Sequence, residues 1–279
     1  MKADSPLQIF ARFTKIEHTI FSLPLVFAGA YLGAGRHLPP LGTLALIVLA
    51  ATGARILGMT MNRLLDRKLD ALNERTKRRE LPAGVLSPAR AWGIAALGLA
   101  IYLGACALLG WRILALAPVP AVFLIGYSLL KRFTCLCHYG IGLVLGMAPL
   151  AAHVAVRGTL DVGWDILLLC GFVFFWMSGY DIIYALQDEQ SDRRHGVHSM
   201  PGRFGSAIAQ VVAGVTHVVA VALLAGFVGW CSRGGWGWVA AGCCAMTLVV
   251  SYLPRVPLPV RFFPLSAIAG LAGSLVVYG

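Results

Sequence analysis

Nine apolar stretches, each near the ~20 residues that a helix needs to cross a bilayer, follow one another at roughly 18–35, 41–65, 90–110, 113–130, 136–156, 164–187, 206–230, 236–253 and 262–278. With 58% hydrophobic and 13% charged residues in 279 positions, the chain has more apolar surface than one soluble core needs. The sequence therefore predicts an all-α integral membrane protein with nine transmembrane helices. No cleavable leader pattern opens it, so the first span is expected to stay in place. The piece before residue 17, with Arg12 and Lys15 among aromatic residues, reads as an amphipathic interfacial segment. No linker or low-complexity run interrupts residues 1–279, which read as a single domain.

A net charge of +11 would suit nucleic acid, but the basic residues sit in short loops between apolar runs and form no soluble basic face. Topology accounts for them: seventeen Lys and Arg, from Lys2 to Arg261, flank one side, against Arg36, Arg112, Arg157 and Arg233 on the other. That asymmetry puts the N-terminus in the cytoplasm and the C-terminus outside, as in a multi-pass protein of a bacterial-type inner membrane. The seven cysteines lie mostly within apolar runs, and Cys135-x-Cys137 and Cys243-Cys244 lack a second pair at zinc-like spacing.

Ten of the twelve acids gather on the same side as the basic loops, and the positive-inside rule gives no reason for that. Asn62, Asp66 and Asp70 recur every four residues, so on a helix they drift about 40° per step and spread along about 12 Å of one face. Arg55 shares that face from inside the span, where an arginine is costly unless it meets a cavity or partner. Asp181, Tyr184, Asp188 and Asp192 end another apolar run, and the two sets repeat at an offset of 122 residues. Either set alone suits a solvated charged loop, with Asp70, Glu74 and Glu80 beside Arg67, Lys68 and Arg78. Two such faces on one side point to a site.

Carboxylates facing one cavity repel each other unless a cation neutralises them. Mg²⁺, a hard ion that keeps waters and bridges to phosphate oxygens, is the natural candidate. A bound diphosphate then calls for further cations, and Lys131 and Arg132 in the next loop on that side supply them. His138 and His153 show no ligand spacing and read as packing or cavity residues. Gly29-x-x-x-Gly33 and Gly142-x-x-x-Gly146 read as close helix contacts, and Trp111, Trp164, Trp236 and Trp238 as an interfacial belt.

These residues resemble the UbiA superfamily of intramembrane aromatic prenyltransferases along nearly the whole chain. The resemblance is carried by Asn62-x-x-x-Asp66-x-x-x-Asp70, by Arg75-Thr76-Lys77-Arg78-Arg79-Glu80-Leu81-Pro82-Ala83-Gly84, by Tyr127-x-x-x-Lys131-Arg132, and by Tyr180-Asp181-x-x-Tyr184-Ala185-x-x-Asp188-x-x-x-Asp192. It implies a helical bundle with a central cavity, and transfer of a polyprenyl group from its diphosphate to an aromatic ring. It further implies Mg²⁺ held by Asn62, Asp66, Asp70, Asp181, Asp188 and Asp192, with Lys131 and Arg132 at the diphosphate or acceptor. Arg-Glu-Leu-Pro-Ala-Gly, with Arg12-Phe13-x-Lys15-x-Glu17-His18-Thr19, looks like the 4-hydroxybenzoate polyprenyltransferase branch and its menaquinone-associated, futalosine-route relatives. Arg63 after Asn62 departs from the Asn-Asp form common in the superfamily.

The expected partners are a polyprenyl diphosphate, an aromatic acid and the lipid bilayer, with no nucleic acid and no obligatory protein partner. Other prenyl transfers of haem O or chlorophyll type remain alternatives. So does a cation-coupled transporter, although its sites belong near the midplane, whereas these acids sit at span ends.

Overall fold

The computed structural model describes residues 5–16, 19–231 and 234–278, with only the backbone of Thr19, Ile20 and Phe21, and no strand occurs among them. Lys2, Asp4, Glu17, His18 and Arg233, used in the reading above, lie outside the described residues.

Helix α1 (Pro6–Thr14) starts at a reciprocal cap: the Ser5 hydroxyl accepts from the Gln8 amide at 3.3 Å, and the Gln8 side chain accepts from the Ser5 amide at 2.8 Å. Its other end buries Phe13 among Leu81, Leu86 and Ala91, with the Arg63 guanidinium 5.4 Å from the ring centre. The segment expected at the interface is thus also fastened to the bundle.

The chain continues through α2 (Thr19–Gly33), α3 (Leu41–Leu72), α4 (Pro88–Leu109), α5 (Trp111–Leu116) and α6 (Pro118–Gly126), which runs into a 3-10 turn, Tyr127–Arg132. Then come α7 (Cys137–Arg157), α8 (Trp164–Ala185), a 3-10 turn at Leu186–Asp188, α9 (Glu189–His195), α10 (Met200–Cys231) and α11 (Gly235–Val250). Helix α12 (Leu258–Val260), a π-turn, α13 (Ser266–Leu275) and a 3-10 turn at Val276–Tyr278 complete the described residues.

Seven helical runs among the described residues are long and apolar enough to cross a membrane. The first and eighth expected spans appear as shorter apolar helices, Ser22–Gly33 and Gly235–Val250, below a full crossing in length. Among the described residues seven of the nine expected crossings are therefore reached on length. The protein is an integral membrane protein, and Trp111, Trp164, Trp236 and Trp238 are all exposed near helix ends.

Small residues set the tightest seams. A Cβ added at Gly29 would lie 2.1 Å from the Pro149 carbonyl oxygen, and one at Gly33 would lie 2.6 Å from that of His153. On another side of α7, a Cβ at Gly142 would meet the Phe174 carbonyl oxygen at 2.5 Å, so α7 touches both α2 and α8 backbone to backbone. Gly53 and Gly98 do the same for α3 and α4, where the added Cβ atoms would meet Tyr102 N at 2.5 Å and Leu57 N at 2.7 Å. The main core lies between α2, α8, α10, α11 and α13, around Leu25, Phe172, Trp176, Leu224, Cys244 and Ala269.

Candidate active site

Helix α3 runs seven residues past the expected end of its span. Its last part, Asn62 to Leu72, holds no glycine or proline, and its end is satisfied locally: Thr76 Oγ1 donates to the Asp70 carbonyl at 3.0 Å, and Asn73 Oδ1 accepts from Arg75 N at 2.9 Å. Asn62, Asp66 and Asp70 therefore share one helix face, as their spacing predicts. The second set departs from its expected single face. Asp181 and Tyr184 belong to α8, Asp188 to the 3-10 turn and Asp192 to α9.

Both sets wall a cavity of about 390 Å³, and every predicted site residue except Arg132 lines it. Arg132 is directed elsewhere, with Nη2 donating to the Leu65 carbonyl at 2.6 Å. Lys131 does reach in: its Nζ is 2.5 Å from Asp66 Oδ2. Asn62 Nδ2 donates to the same oxygen at 3.2 Å and to Ser128 Oγ at 3.0 Å.

Two cations and an amide that spacing did not single out complete the wall. Arg79 Nη1 holds both oxygens of Asp70, at 2.9 and 3.0 Å. Arg75 forks onto Asp188, Nε to Oδ1 at 2.9 Å and Nη2 to Oδ2 at 2.6 Å, while its Nη1 donates to the Tyr184 hydroxyl at 2.8 Å. Burial is the largest single effect and works against the Arg75 charge, but the hydrogen bonds and charge interactions with Asp188 and Tyr184 together outweigh it and keep that pKa above the usual arginine value. Asn73 Nδ2 also donates to Asp188 Oδ1, at 2.8 Å. These residues sit in a loop, where no periodicity marks which side chains face inward.

His138 was read as a packing or cavity residue, and it lines the cavity with a defined partner. Its Nδ1 is 2.7 Å from Asp181 Oδ2, and the Met200 amide donates to its Nε2 at 3.1 Å. An Nε2 that accepts carries no proton, so Nδ1 is the donor to Asp181.

Among the described residues no group of three His, Cys, Asp or Glu is arranged to hold a metal ion as it stands. Protein cations satisfy most of the carboxylates instead. One atom is left over: Asp66 Oδ1 is buried without a hydrogen-bond partner, a hard oxygen of the kind Mg²⁺ takes.

A second, mainly apolar cavity of about 330 Å³ shares Arg55, Met59, Tyr127, Ile141 and Leu145 with the first. Arg55 thus stands where polar and apolar space meet.

A membrane-embedded helical bundle with an acidic and basic cavity beside an apolar one is the class of protein these features define. The chain belongs to the UbiA prenyltransferase family, whose profile matches residues 22–257. It is 36% identical over 201 residues to a 4-hydroxybenzoate solanesyltransferase from Synechocystis sp., covering 69% of this chain and 65% of that one. The chain spans between about half and two thirds of the length of such curated relatives. Among solved structures, the apo form of a UbiA homolog from Aeropyrum pernix K1 superposes with a TM-score of 0.81 at 31% identity, covering 94% of this chain and 96% of that one. A UbiA homolog from Archaeoglobus fulgidus bound to GPP and Mg²⁺ has the same fold, with a TM-score of 0.73 at 18% identity over 97% of this chain and 99% of that one.

Proposed function

We propose that this protein transfers a polyprenyl group from its diphosphate to an aromatic acid, of 4-hydroxybenzoate or futalosine-route naphthoate type, in ubiquinone or menaquinone biosynthesis. The observation that carries this reading is the junction at Arg55 between a cavity walled by carboxylates and cations and an apolar cavity. A prenyl diphosphate has a multiply charged head and an apolar tail, and the paired cavities match both parts.

Mg²⁺ would be held by Asp66, Asp70, Asp188 and Asp192, with Asn62 and Asp181 beside them, and Asp66 Oδ1 supplies an unpartnered oxygen for it. When bound, the ion would neutralise diphosphate oxygens as a Lewis acid. Lys131, Arg75 and Arg79 already lie against the acids, and their N–H groups would hold the diphosphate as the allylic C–O bond breaks. The apolar walls keep water from the resulting allylic cation. Arg55 would grip the acceptor's carboxylate with its planar fork, which turns the ring so that the carbon ortho to the hydroxyl attacks the cation and then loses its proton.

The Lys and Arg asymmetry supports an inner-membrane protein with nine crossings, α2 and α11 included, and the acidic mouth toward the cytoplasm. Residues 1–279 act as a single domain in this reading. The deciding experiment incubates membranes bearing the protein with a radiolabelled prenyl diphosphate and a panel of aromatic acids. One labelled lipid product, formed with one acid alone, is the expected result, and no product with any acid rejects the activity.

A further inference from the structure

Glu80 is buried, 4% exposed, and stands behind the cavity wall rather than in it. Its two oxygens are taken by guanidiniums from two distant parts of the chain. Oε1 accepts from Arg12 Nε on α1 at 2.7 Å, and Oε2 accepts from Arg63 Nη1 on α3 at 2.9 Å. Arg63 is buried as well, 5% exposed, over the ring of Phe13.

A desolvated ion pair of this kind is a poor source of net stability, because the cost of stripping water from both charges offsets most of their attraction. What it does supply is geometry. Glu80 precedes Leu81 and Leu86, which pack with Phe13, and its carbonyl accepts from the Leu86 amide at 3.0 Å. It directly follows Arg79 and lies five residues after Arg75, the two loop arginines that grip Asp70 and Asp188. The pin at Glu80 therefore fixes α1, α3 and the α3–α4 loop to one another at the point from which both arginines reach across the cavity mouth.

We propose that Glu80 is a positioning residue, pinned to Arg63 and Arg12 so that Arg79 and Arg75 are held where they receive the diphosphate end of the prenyl donor. This rests on the prenyl-transfer reading for the ligand, while the pin itself is testable without it. Loss of the pin loosens the loop and lowers donor affinity, and it leaves the acceptor side unchanged.

Two variants test it. The double variant Arg63→Met, Glu80→Leu removes both buried charges together, so that neither is stranded. Arg12→Gln removes one arm of the pin from outside the cavity and stands in if the double variant does not fold. Trypsin cleavage after the exposed Lys77 and Arg78 reads loop opening in the full-length protein in vesicles. Both variants are expected to be cleaved faster than wild type, and inorganic diphosphate with Mg²⁺ to protect the wild-type loop more than either. The KM for the prenyl diphosphate should rise about tenfold in the double variant, the value of one charge-assisted hydrogen bond, with the acid's KM unchanged. Unchanged cleavage in a folded variant overturns the pin. Faster cleavage with unchanged diphosphate protection and unchanged donor KM overturns its role in the site. Absence of prenyl transfer in the wild type rejects the proposed activity alone, and the protection assay still decides the pin.

Discussion

Lys131 and Asp66 meet at 2.5 Å across 65 residues of chain, joining the 3-10 turn after α6 to the middle of the acidic face on α3. Asp66 is 1% exposed, so removing its partner strands a buried carboxylate. Lys131→Met should therefore lower both the melting temperature and turnover, and Lys131→Arg should recover the melting temperature at least in part. A variant lacking the cation that melts like the wild type would show that the pair does not hold the turn.

Chelation should abolish prenyl transfer, and added Mg²⁺ should restore it, since the cavity offers carboxylate oxygens that suit a hard cation. Full turnover in excess EDTA after thorough washing would remove Mg²⁺ from the mechanism.

Asp66→Ala, Asp70→Ala, Asp188→Ala and Asp192→Ala should each reduce turnover on the order of 10²-fold or more while the protein remains inserted in the membrane. The check is a rate measured on protein quantified after purification. Near-normal rates for two of the four would reduce the acids to a solvated rim.

Arg55→Lys keeps the charge but loses the planar fork. The KM for the aromatic acid should rise far more than that for the prenyl diphosphate. Equal increases would assign Arg55 to the diphosphate, and no change in either would leave it a structural role.

Gly29→Ala places a methyl group 2.1 Å from the Pro149 carbonyl oxygen, a backbone atom that no rotamer change can move. A loss of about 1–3 kcal/mol of stability is expected, read as a lower unfolding temperature in detergent. An unaltered unfolding temperature would mean that α2 and α7 can separate without cost.

The α3 acids were legible because a four-residue spacing on a helix has one geometric meaning, and the hydropathy marked the helix on which they lie. The glycine pairs were legible for the same reason. Asp188 and Asp192 were found by the same four-residue spacing and by the repeat, but the 3-10 turn at Leu186–Asp188 breaks the single face that the spacing implies. Arg75 and Arg79 were visible as loop charge and within the motif that carries the resemblance, but without a role, because a loop has no period that tells inward from outward. His138 joins Asp181 across 43 residues, and no local pattern encodes a contact of that span. Arg132 shows the opposite limit: adjacency to Lys131 suggested a shared role, yet neighbours in a 3-10 turn point in different directions.

The glycine seams also divide the bundle mechanically. Backbone lies against backbone at Gly29 and Pro149, so no side chain there could absorb a displacement of α2 against α7 by changing rotamer, and Gly142 packs as closely on the Ser178 side chain and the Phe174 carbonyl of α8. Gly53 and Gly98 lock α3 to α4 in the same way. The compliance of the molecule is thereby concentrated in what joins these two stiff units, the segment from Ala34 to Pro40 between α2 and α3 and that from Trp111 to Arg132 between α4 and α7. A substrate too long or too wide for the resting cavities must be admitted by strain in those segments, so a thermal or chemical perturbation there will register in catalysis before it registers in unfolding.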